Sequence, residues 1–294
     1  MTGKACAVFN AVWIAAFGTW MAWSASAEQL VSVDTPHAEV LSIGSEVTEI
    51  VYALGQGHRL LARDSTSTWP EAARALPDVG YMRALSPEGV LSVGPSLILS
   101  SEGAGPPETI EVLRAADIDI VEVSGGFDAE AIAVKIRTIG AALDVPDKAE
   151  ALAQEVTPAL EQVVARAEAR DGERKRVLFI LSAAGGKLTV GGRNTGADAV
   201  IRMAGGVNAA EGFDGYKALT DEAASVAAPD VILMMDRGGA HDLSAEALFA
   251  LPALAITPAA ETRSLIRIDG LKLLGFGPRT AAAVSELNAA LYGG

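Results

Sequence analysis

Residues 85–99 read LSPEGVLSVGPSLIL and residues 219–233 read LTDEAASVAAPDVIL, and the two stretches align without a gap. Each has at its second position a hydroxyl residue, Ser86 or Thr220, of the kind that caps a helix, and a carboxylate follows two positions later in the first turn. A proline then ends the short helix, and an apolar run typical of a buried parallel strand comes after it. One such unit in each half of the chain predicts two similar lobes.

The segments around the repeat also alternate between strand and helix patterns. Apolar runs at 40–43 and 176–181 predict buried strands, and residues 118–123 alternate in the manner of a strand that closes a sheet. A helix is predicted from 195 to 203, ahead of a glycine pair. This alternation predicts lobes of α/β class with parallel strands.

A long helical stretch separates the two halves. Residues 128–143 predict one helix, and a second runs to about residue 170, with Pro158 expected to kink or break it. One long helix between lobes limits hinge motion and keeps a cleft between them, which is the default place for a ligand. The predicted N-terminal lobe, interlobe helix and C-terminal lobe have the bounds 28–143, 144–172 and 173–294.

The first 27 residues predict a secretory signal peptide. Lys4 is the only charge, residues 5–23 are mostly apolar, and Ala25-Ser26-Ala27 provides the small residues of a cleavage site. An uncleaved anchor is the alternative. Cys6, the single cysteine, lies in this segment, so the mature chain would form no disulfide. Export without disulfides fits a bacterial periplasm, where a large core makes them unnecessary.

Composition excludes several functional classes. Half of the 294 residues are apolar, which excludes a disordered chain, and 23 basic against 37 acidic residues give a net charge of −14. Such an acidic chain is a poor partner for nucleic acid or an anionic membrane.

The three histidines, His37, His58 and His241, are too scattered for a zinc or manganese carrier. The glycines around Lys187 predict a hairpin, and no catalytic motif is present.

Residues 80–92, GYMRALSPEGVLS, resemble the haem-binding members of the periplasmic binding proteins that supply ABC importers of metal chelates, vitamin B12 and haem. Residues 177–182, VLFILS, and 191–199, GGRNTGADA, resemble the same group. The resemblance covers about residues 38–294. It implies a class III fold, in which two α/β lobes are joined by a single long helix and the ligand lies between them.

The resemblance also implies the ligand's anchor. Tyr81 would be the axial ligand of ferric haem, a role suited to phenolate because it is a hard anionic donor. Arg83 would assist it, since a nearby cation stabilises the phenolate. Because Arg83 stands two residues on, we expect both side chains on the same side of an extended loop.

The second lobe offers further candidates by the same resemblance. Arg237 resembles an arginine near the haem in some relatives, and Arg193 and Tyr216 are candidates of the same kind. Some relatives that stack two haems carry a histidine after the second-lobe strand, whereas residues 181–186 read LSAAGG here. We therefore predict one haem for each chain.

Glu88 and Glu222 occupy matching positions of the repeat. In the wider family, one glutamate at the tip of each lobe docks onto arginines of the permease dimer, and a role as a helix-start carboxylate is compatible with this. The sequence thus predicts a monomeric periplasmic haem carrier for an inner-membrane ABC importer. A ferric-siderophore or cobalamin carrier of the same fold is the alternative, and a secreted α/β enzyme is a second one for which the sequence offers no nucleophile and base.

Overall fold

The computed structural model describes residues 39–116, 118–236 and 243–293. The predicted signal peptide, His37, Arg237 and His241 lie outside the described residues. Within these three ranges, no helix is both long enough and apolar enough to cross a membrane.

The first lobe is a parallel four-stranded sheet in the order β2-β1-β3-β4. Its strands are β1 (Val40–Ile43), β2 (Leu60–Arg63), β3 (Leu97–Ser101) and β4 (Asp119–Val123). Its helices are α1 (Ser45–Ala53), α2 (Pro87–Leu91), α3 (Pro107–Arg114) and α4 (Ala129–Ala142). The two central strands, β1 and β3, are mostly apolar and buried, as expected for parallel strands that are covered on both faces.

The second lobe is a mixed sheet in the order β10-β9-β5-β6-β8, with β7 beside β5. Its strands are β5 (Arg176–Ser182), β6 (Leu188–Gly191), β7 (Val207–Asn208), β8 (Tyr216–Leu219), β9 (Val231–Asp236) and β10 (Leu265–Asp269). Its helices are α6 (Gly196–Met203), α7 (Asp221–Ala227), α8 (Ala245–Phe249), α9 (Pro252–Ala255), α10 (Pro258–Thr262), α11 (Gly270–Leu274) and α12 (Thr280–Tyr292). Strands β5 and β6 pair antiparallel, which confirms the hairpin around Lys187.

The repeated unit folds as predicted in both halves. In the first, α2 leads into β3, and the Ser86 hydroxyl accepts a hydrogen bond from the Gly89 N–H at 3.0 Å. In the second, α7 leads into β9, and the Thr220 hydroxyl accepts one from the Ala223 N–H at 3.2 Å. The two helices therefore begin at equivalent capped positions.

Replacing Thr220 by alanine is expected to lower the free energy of unfolding by about 1 kcal/mol, because the Ala223 N–H loses its acceptor. Urea unfolding followed by circular dichroism measures the change. Thr220→Ser keeps the oxygen and should unfold at the wild-type midpoint. Equal midpoints for Thr220→Ala and wild type would show that the cap contributes nothing.

A single helix, α5 (Pro146–Glu168), connects the lobes and lies within the predicted interlobe segment. The two-lobed α/β architecture is thus confirmed, while the exact lobe bounds stay predictions. Of the two outcomes expected at Pro158, a break is wrong, because α5 continues through this residue, and a kink stays a prediction. Proline removes one helical hydrogen bond, and packing of α5 against α4 and α12 holds the helix together across that position.

One apolar core extends through both lobes. It contains Val40 and Leu99 of the first sheet, Phe179 and Leu233 of the second, and buried residues of α5 such as Leu160. Smaller clusters cover the other face of each sheet. Because the main core is continuous across the connecting helix, separating the lobes would expose apolar surface that is now buried.

Candidate functional site

The segment between β2 and α2 carries Tyr81 and Arg83 on the surface. Gly80 has a φ of +103°, a conformation that suits glycine and turns the chain just before Tyr81. Met82 lies between the two candidates, packs against the core of the lobe, and accepts a hydrogen bond at its carbonyl from the Gly105 N–H at 2.9 Å. With Met82 held inward, Tyr81 and Arg83 are both exposed.

The expectation of an extended loop at this place is wrong. The Ala84 N–H donates to the Tyr81 carbonyl at 2.8 Å, so residues 81–84 form a turn. Gly105 holds this turn through Met82 inside it and through Leu85 just after it, whose N–H donates to the Gly105 carbonyl at 2.9 Å. Tyr81 is 49% exposed, and among the described residues its hydroxyl has no hydrogen-bond partner.

An ion pair between Glu49 and Arg279 joins the two lobes. Arg279, just before α12, donates from Nε to Glu49 Oε2 of α1 at 2.8 Å, and its backbone N–H donates to Glu49 Oε1 at 3.0 Å. Burial raises the pKa of the Glu49 carboxyl, and the Arg279 guanidinium opposes that shift. The guanidinium also lies 4.5 Å from the ring centre of Trp69, which is exposed. One arginine of the second lobe thus contacts two elements of the first.

A second junction is formed by Lys135, Phe127 and Phe276. Lys135 of α4 is 4% exposed, and its ammonium donates to the carbonyl oxygens of Gly126 at 3.1 Å and Phe276 at 3.2 Å. Burial lowers the pKa of Lys135, and nearby carboxylates oppose the shift. The rings of Phe127, from the first lobe, and Phe276, from the second, are 4.9 Å apart. These contacts fix the lobes against each other.

Tyr216 of β8 belongs to the second lobe, and its ring packs edge-on against the buried Phe179, with 6.4 Å between ring centres. Burial raises the pKa of the Tyr216 phenol, whereas the Thr195 side chain, the Ala197 backbone N–H and the positive charge of Arg83 act in the opposite direction.

The described residues include several exposed aromatic side chains, and two of them, Trp69 and Phe127, contact Arg279 and Phe276 of the opposite lobe. Four are exposed by 40% or more, namely Trp69, Tyr81, Phe127 and Tyr216. The first three follow the carboxyl ends of β2 and β4, the edge at which parallel sheets bind ligands. We call the surface formed by these four residues and Arg83 the interlobe groove. Its aromatic walls suit a large, flat, apolar ligand, and Arg83 suits an anionic one.

The other predicted site residues are dispersed. Arg193 is paired with Asp214 at 3.0 Å, so its charge is already engaged. Glu88 and Glu222 are exposed in the first turns of α2 and α7, the equivalent positions that the repeat predicts. Across the described residues, no group of three or more His, Cys, Asp or Glu side chains is arranged to hold a metal ion.

Sequence reasoning missed several residues of the interlobe groove and of the contacts between the lobes. Glu49 and Arg279 are separated by 230 positions, and no local pattern connects them. Trp69 lies in an irregular segment without a motif. Phe127 could have been found, because it follows a predicted strand at its carboxyl end, where ligand-binding residues of parallel sheets occur.

A separate cavity of about 330 Å³ lies in the second lobe, at the opposite ends of the strands. Lys175, Asp230, Arg263 and Leu265 are among its lining residues, and these positions precede or begin β5, β9 and β10. It contains none of the exposed aromatic residues and lies at the amino ends of the strands. The groove, which is open, is therefore the better candidate for ligand binding.

Comparison with known proteins agrees with this architecture. A sequence model of the family described as "Periplasmic binding protein" matches residues 40–270. The solved structure of the periplasmic heme-binding protein BhuT in complex with two hemes is 41% identical, covers 86% of this chain and 97% of its own, and superposes with a TM-score of 0.82. The structure of the periplasmic heme-binding protein RhuT from Roseiflexus sp. RS-1 in apo form is 38% identical and superposes with a TM-score of 0.83. It covers 87% of this chain and 98% of its own.

A more distant relative is YvrC of Bacillus subtilis (strain 168), an uncharacterised ABC transporter substrate-binding lipoprotein. It is 24% identical over 269 residues, which are 91% of this chain and 84% of YvrC. The family match covers most of the chain and the similarity to BhuT and RhuT extends over both lobes. This chain therefore belongs to the periplasmic binding protein family.

Proposed function

We propose that this protein binds haem in the interlobe groove and delivers it to an ABC importer of the inner membrane. The observation that carries the proposal is the position of Tyr81, a half-exposed tyrosine with a free hydroxyl, beside Arg83 in a groove lined by aromatic rings. The similarity to two haem-binding proteins at 38–41% identity supports the same ligand. Because the chain belongs to a family of binding proteins, we propose that it carries its ligand without transforming it.

In this proposal Tyr81 is the axial ligand of the ferric iron. A phenolate is a hard anionic donor that suits Fe(III), and the iron itself stabilises the deprotonated form. Arg83 adds a positive charge two residues away, which would attract the iron-bound phenolate oxygen and can also pair with a haem propionate. Arg237, outside the described residues, is proposed as a second cation near the haem.

The chain would act from the periplasm, as a monomer, after removal of residues 1–27. The family and its ABC-transporter relatives support export, and the signal peptide gives the route. In the proposed organisation, the N-terminal lobe spans residues 28–143, the interlobe helix lies within 144–172, and the C-terminal lobe spans 173–294. A ferric-siderophore or cobalamin carrier is the alternative within this family, and the haem-binding proteins similar to this chain favour haem over both.

Titration of the purified mature protein with haemin tests the proposal. We expect a Soret band and the high-spin charge-transfer absorption of an iron–phenolate complex, with saturation at one haem for each chain. BhuT was solved with two hemes, but here Ala183 and Ala184 follow β5 and provide no second ligand. A break point at two haems would contradict the predicted stoichiometry, and the absence of binding would overturn the proposed function. Titration with cobalamin and with a ferric siderophore checks the alternative.

A further inference from the structure

The segment that leads into Tyr81 is held by a carboxylate that lies outside the motif selecting this tyrosine. Oδ1 of Asp78 accepts hydrogen bonds from the Gly80 N–H at 2.9 Å and from the Ser65 hydroxyl at 2.8 Å. The other oxygen, Oδ2, accepts from Nη1 of Arg63 at 2.7 Å. The Ser65 N–H also donates to the Gly80 carbonyl at 2.9 Å. Both backbone polar groups of the residue before Tyr81 are therefore bonded.

Arg63 connects this carboxylate to the sheet of the first lobe. It is the last residue of β2 and is buried. Its backbone bonds on both sides of Asp78, because its N–H donates to the Pro77 carbonyl and its carbonyl accepts from the Val79 N–H, both at 3.0 Å. Val79 itself packs in the core of the lobe. The Asp78 carboxylate is thus fixed to the carboxyl end of a strand.

The second lobe repeats this arrangement with one difference. There Arg193 pairs with Asp214 at 3.0 Å, and the backbone of the arginine bonds to the residues on both sides of that aspartate. A glycine and a tyrosine follow, Gly215 and Tyr216. Tyr216, however, belongs to the ladder between β8 and β6, whereas Tyr81 lies between β2 and α2, outside any strand. A sheet fixes the second tyrosine, and the first depends on the contacts of its loop.

Tyr81 also follows a residue with little rigidity of its own. The φ of Gly80 is +103°, and no atom lies within 4 Å of a Cβ added at this position. Glycine has the widest conformational freedom of any residue, so an unbonded Gly80 would let the exposed phenol sample many positions. Ligation of an iron uses one of these positions, and restricting the phenol to it only on binding would weaken the affinity.

We propose that Asp78 is the positioning residue of the iron ligand, and that its carboxylate fixes Gly80 so that Tyr81 is held in place before haem arrives. This inference rests on the proposed function and adds to it a residue that acts through another. The role depends on geometry, because an aspartate side chain is short enough to bond the N–H two residues further along the chain while it also meets Arg63. The negative charge serves the pair with Arg63.

Haemin titrations of three variants at Asp78 separate geometry from charge. Asp78→Asn keeps an oxygen for the Gly80 N–H and should bind within about threefold of wild type, with the iron–phenolate charge-transfer band unchanged. Asp78→Glu keeps the charge, but its longer side chain moves the oxygens away from Gly80. Asp78→Ala removes both. We expect the Glu and Ala variants to bind about tenfold more weakly, with a weaker charge-transfer band, because the phenol is no longer held in one position.

A double-mutant cycle shows whether Asp78 acts through Tyr81. In the Tyr81→Phe background, Asp78→Glu should change the remaining haemin affinity by less than about twofold, because the oxygen that it positions is absent. The control is Glu150→Ala, which removes a carboxylate from the solvent-accessible pair with Arg137 at 2.8 Å and should titrate as wild type does. Thermal unfolding of each ligand-free variant shows whether it is folded, and the Asn and Glu variants decide the inference if Ala is not.

Two results would overturn the inference. Wild-type affinity and an unchanged band in folded Asp78→Glu would show that the bond to Gly80 does not position the ligand. An equal loss of affinity on Asp78→Glu in the presence and absence of the Tyr81 oxygen would show a general effect on the lobe. Both are read from proteins whose wild type binds haemin. Failure of the wild type to bind would instead reject the proposed function, and the inference with it.

Discussion

Replacing Tyr81 by phenylalanine is expected to lower the affinity for haemin by at least about 100-fold, or roughly 3 kcal/mol. Phenylalanine keeps the ring at its place in the turn and removes only the oxygen that would bind iron. Because the hydroxyl makes no hydrogen bond among the described residues, its loss should leave the fold intact. The charge-transfer band of the iron–phenolate complex should disappear together with the affinity.

The matched control for this variant is Tyr52→Phe. Tyr52 lies in the last turn of α1, partly buried against Gly57 and away from the groove. Its variant should titrate with haemin as wild type does. Wild-type affinity and an unchanged band in Tyr81→Phe would show that the iron is held by another residue, and the assignment of Tyr81 would then be wrong.

Charge reversal at both Glu88 and Glu222 is expected to abolish haem uptake by cells while the purified protein keeps its haem affinity. The two carboxylates are exposed at equivalent helix starts, one in each lobe, and this arrangement suits a permease dimer with two equivalent basic contacts. Arginine at both places would present like charges to these contacts. The measurement is uptake of iron-labelled haem in cells that carry the importer and either the wild type or the variant.

The control is Glu155→Arg with Glu161→Arg. Both residues are exposed on α5, and the double substitution changes the net charge by the same amount. This control should transport haem normally, which separates the effect of position from that of total charge. Normal uptake by the Glu88 and Glu222 double variant would remove these residues from the docking surface.

Local signals account for the part of the fold that the sequence predicted. The repeat placed α2 with β3 and α7 with β9 correctly, because caps and prolines act within a few residues. The helix does not break at Pro158, because tertiary packing of α5 on its neighbours compensates for the one lost hydrogen bond that the sequence reveals.

Less of the candidate site than of the fold could be predicted from the sequence. A motif selected Tyr81 and Arg83, but their loop is a turn, since Gly105 bonds to Met82 and Leu85, which precede it by 23 and 20 residues. The pair of Glu49 with Arg279 joins the first helix of one lobe to the last helix of the other, and no periodicity can reveal it. Long-range pairs of this kind appear only when the chain is folded.

The continuous core beneath the groove has a consequence for the release of the ligand. Lobes that share buried apolar contacts, the Glu49–Arg279 pair and the Lys135 hydrogen bonds are held in place before haem arrives, so capture requires little reordering. The same stiffness prevents the carrier from opening widely by itself. Unloading must then be driven by the receiving transporter, which has to distort the groove or compete for the iron, and the direction of transfer is set at the membrane.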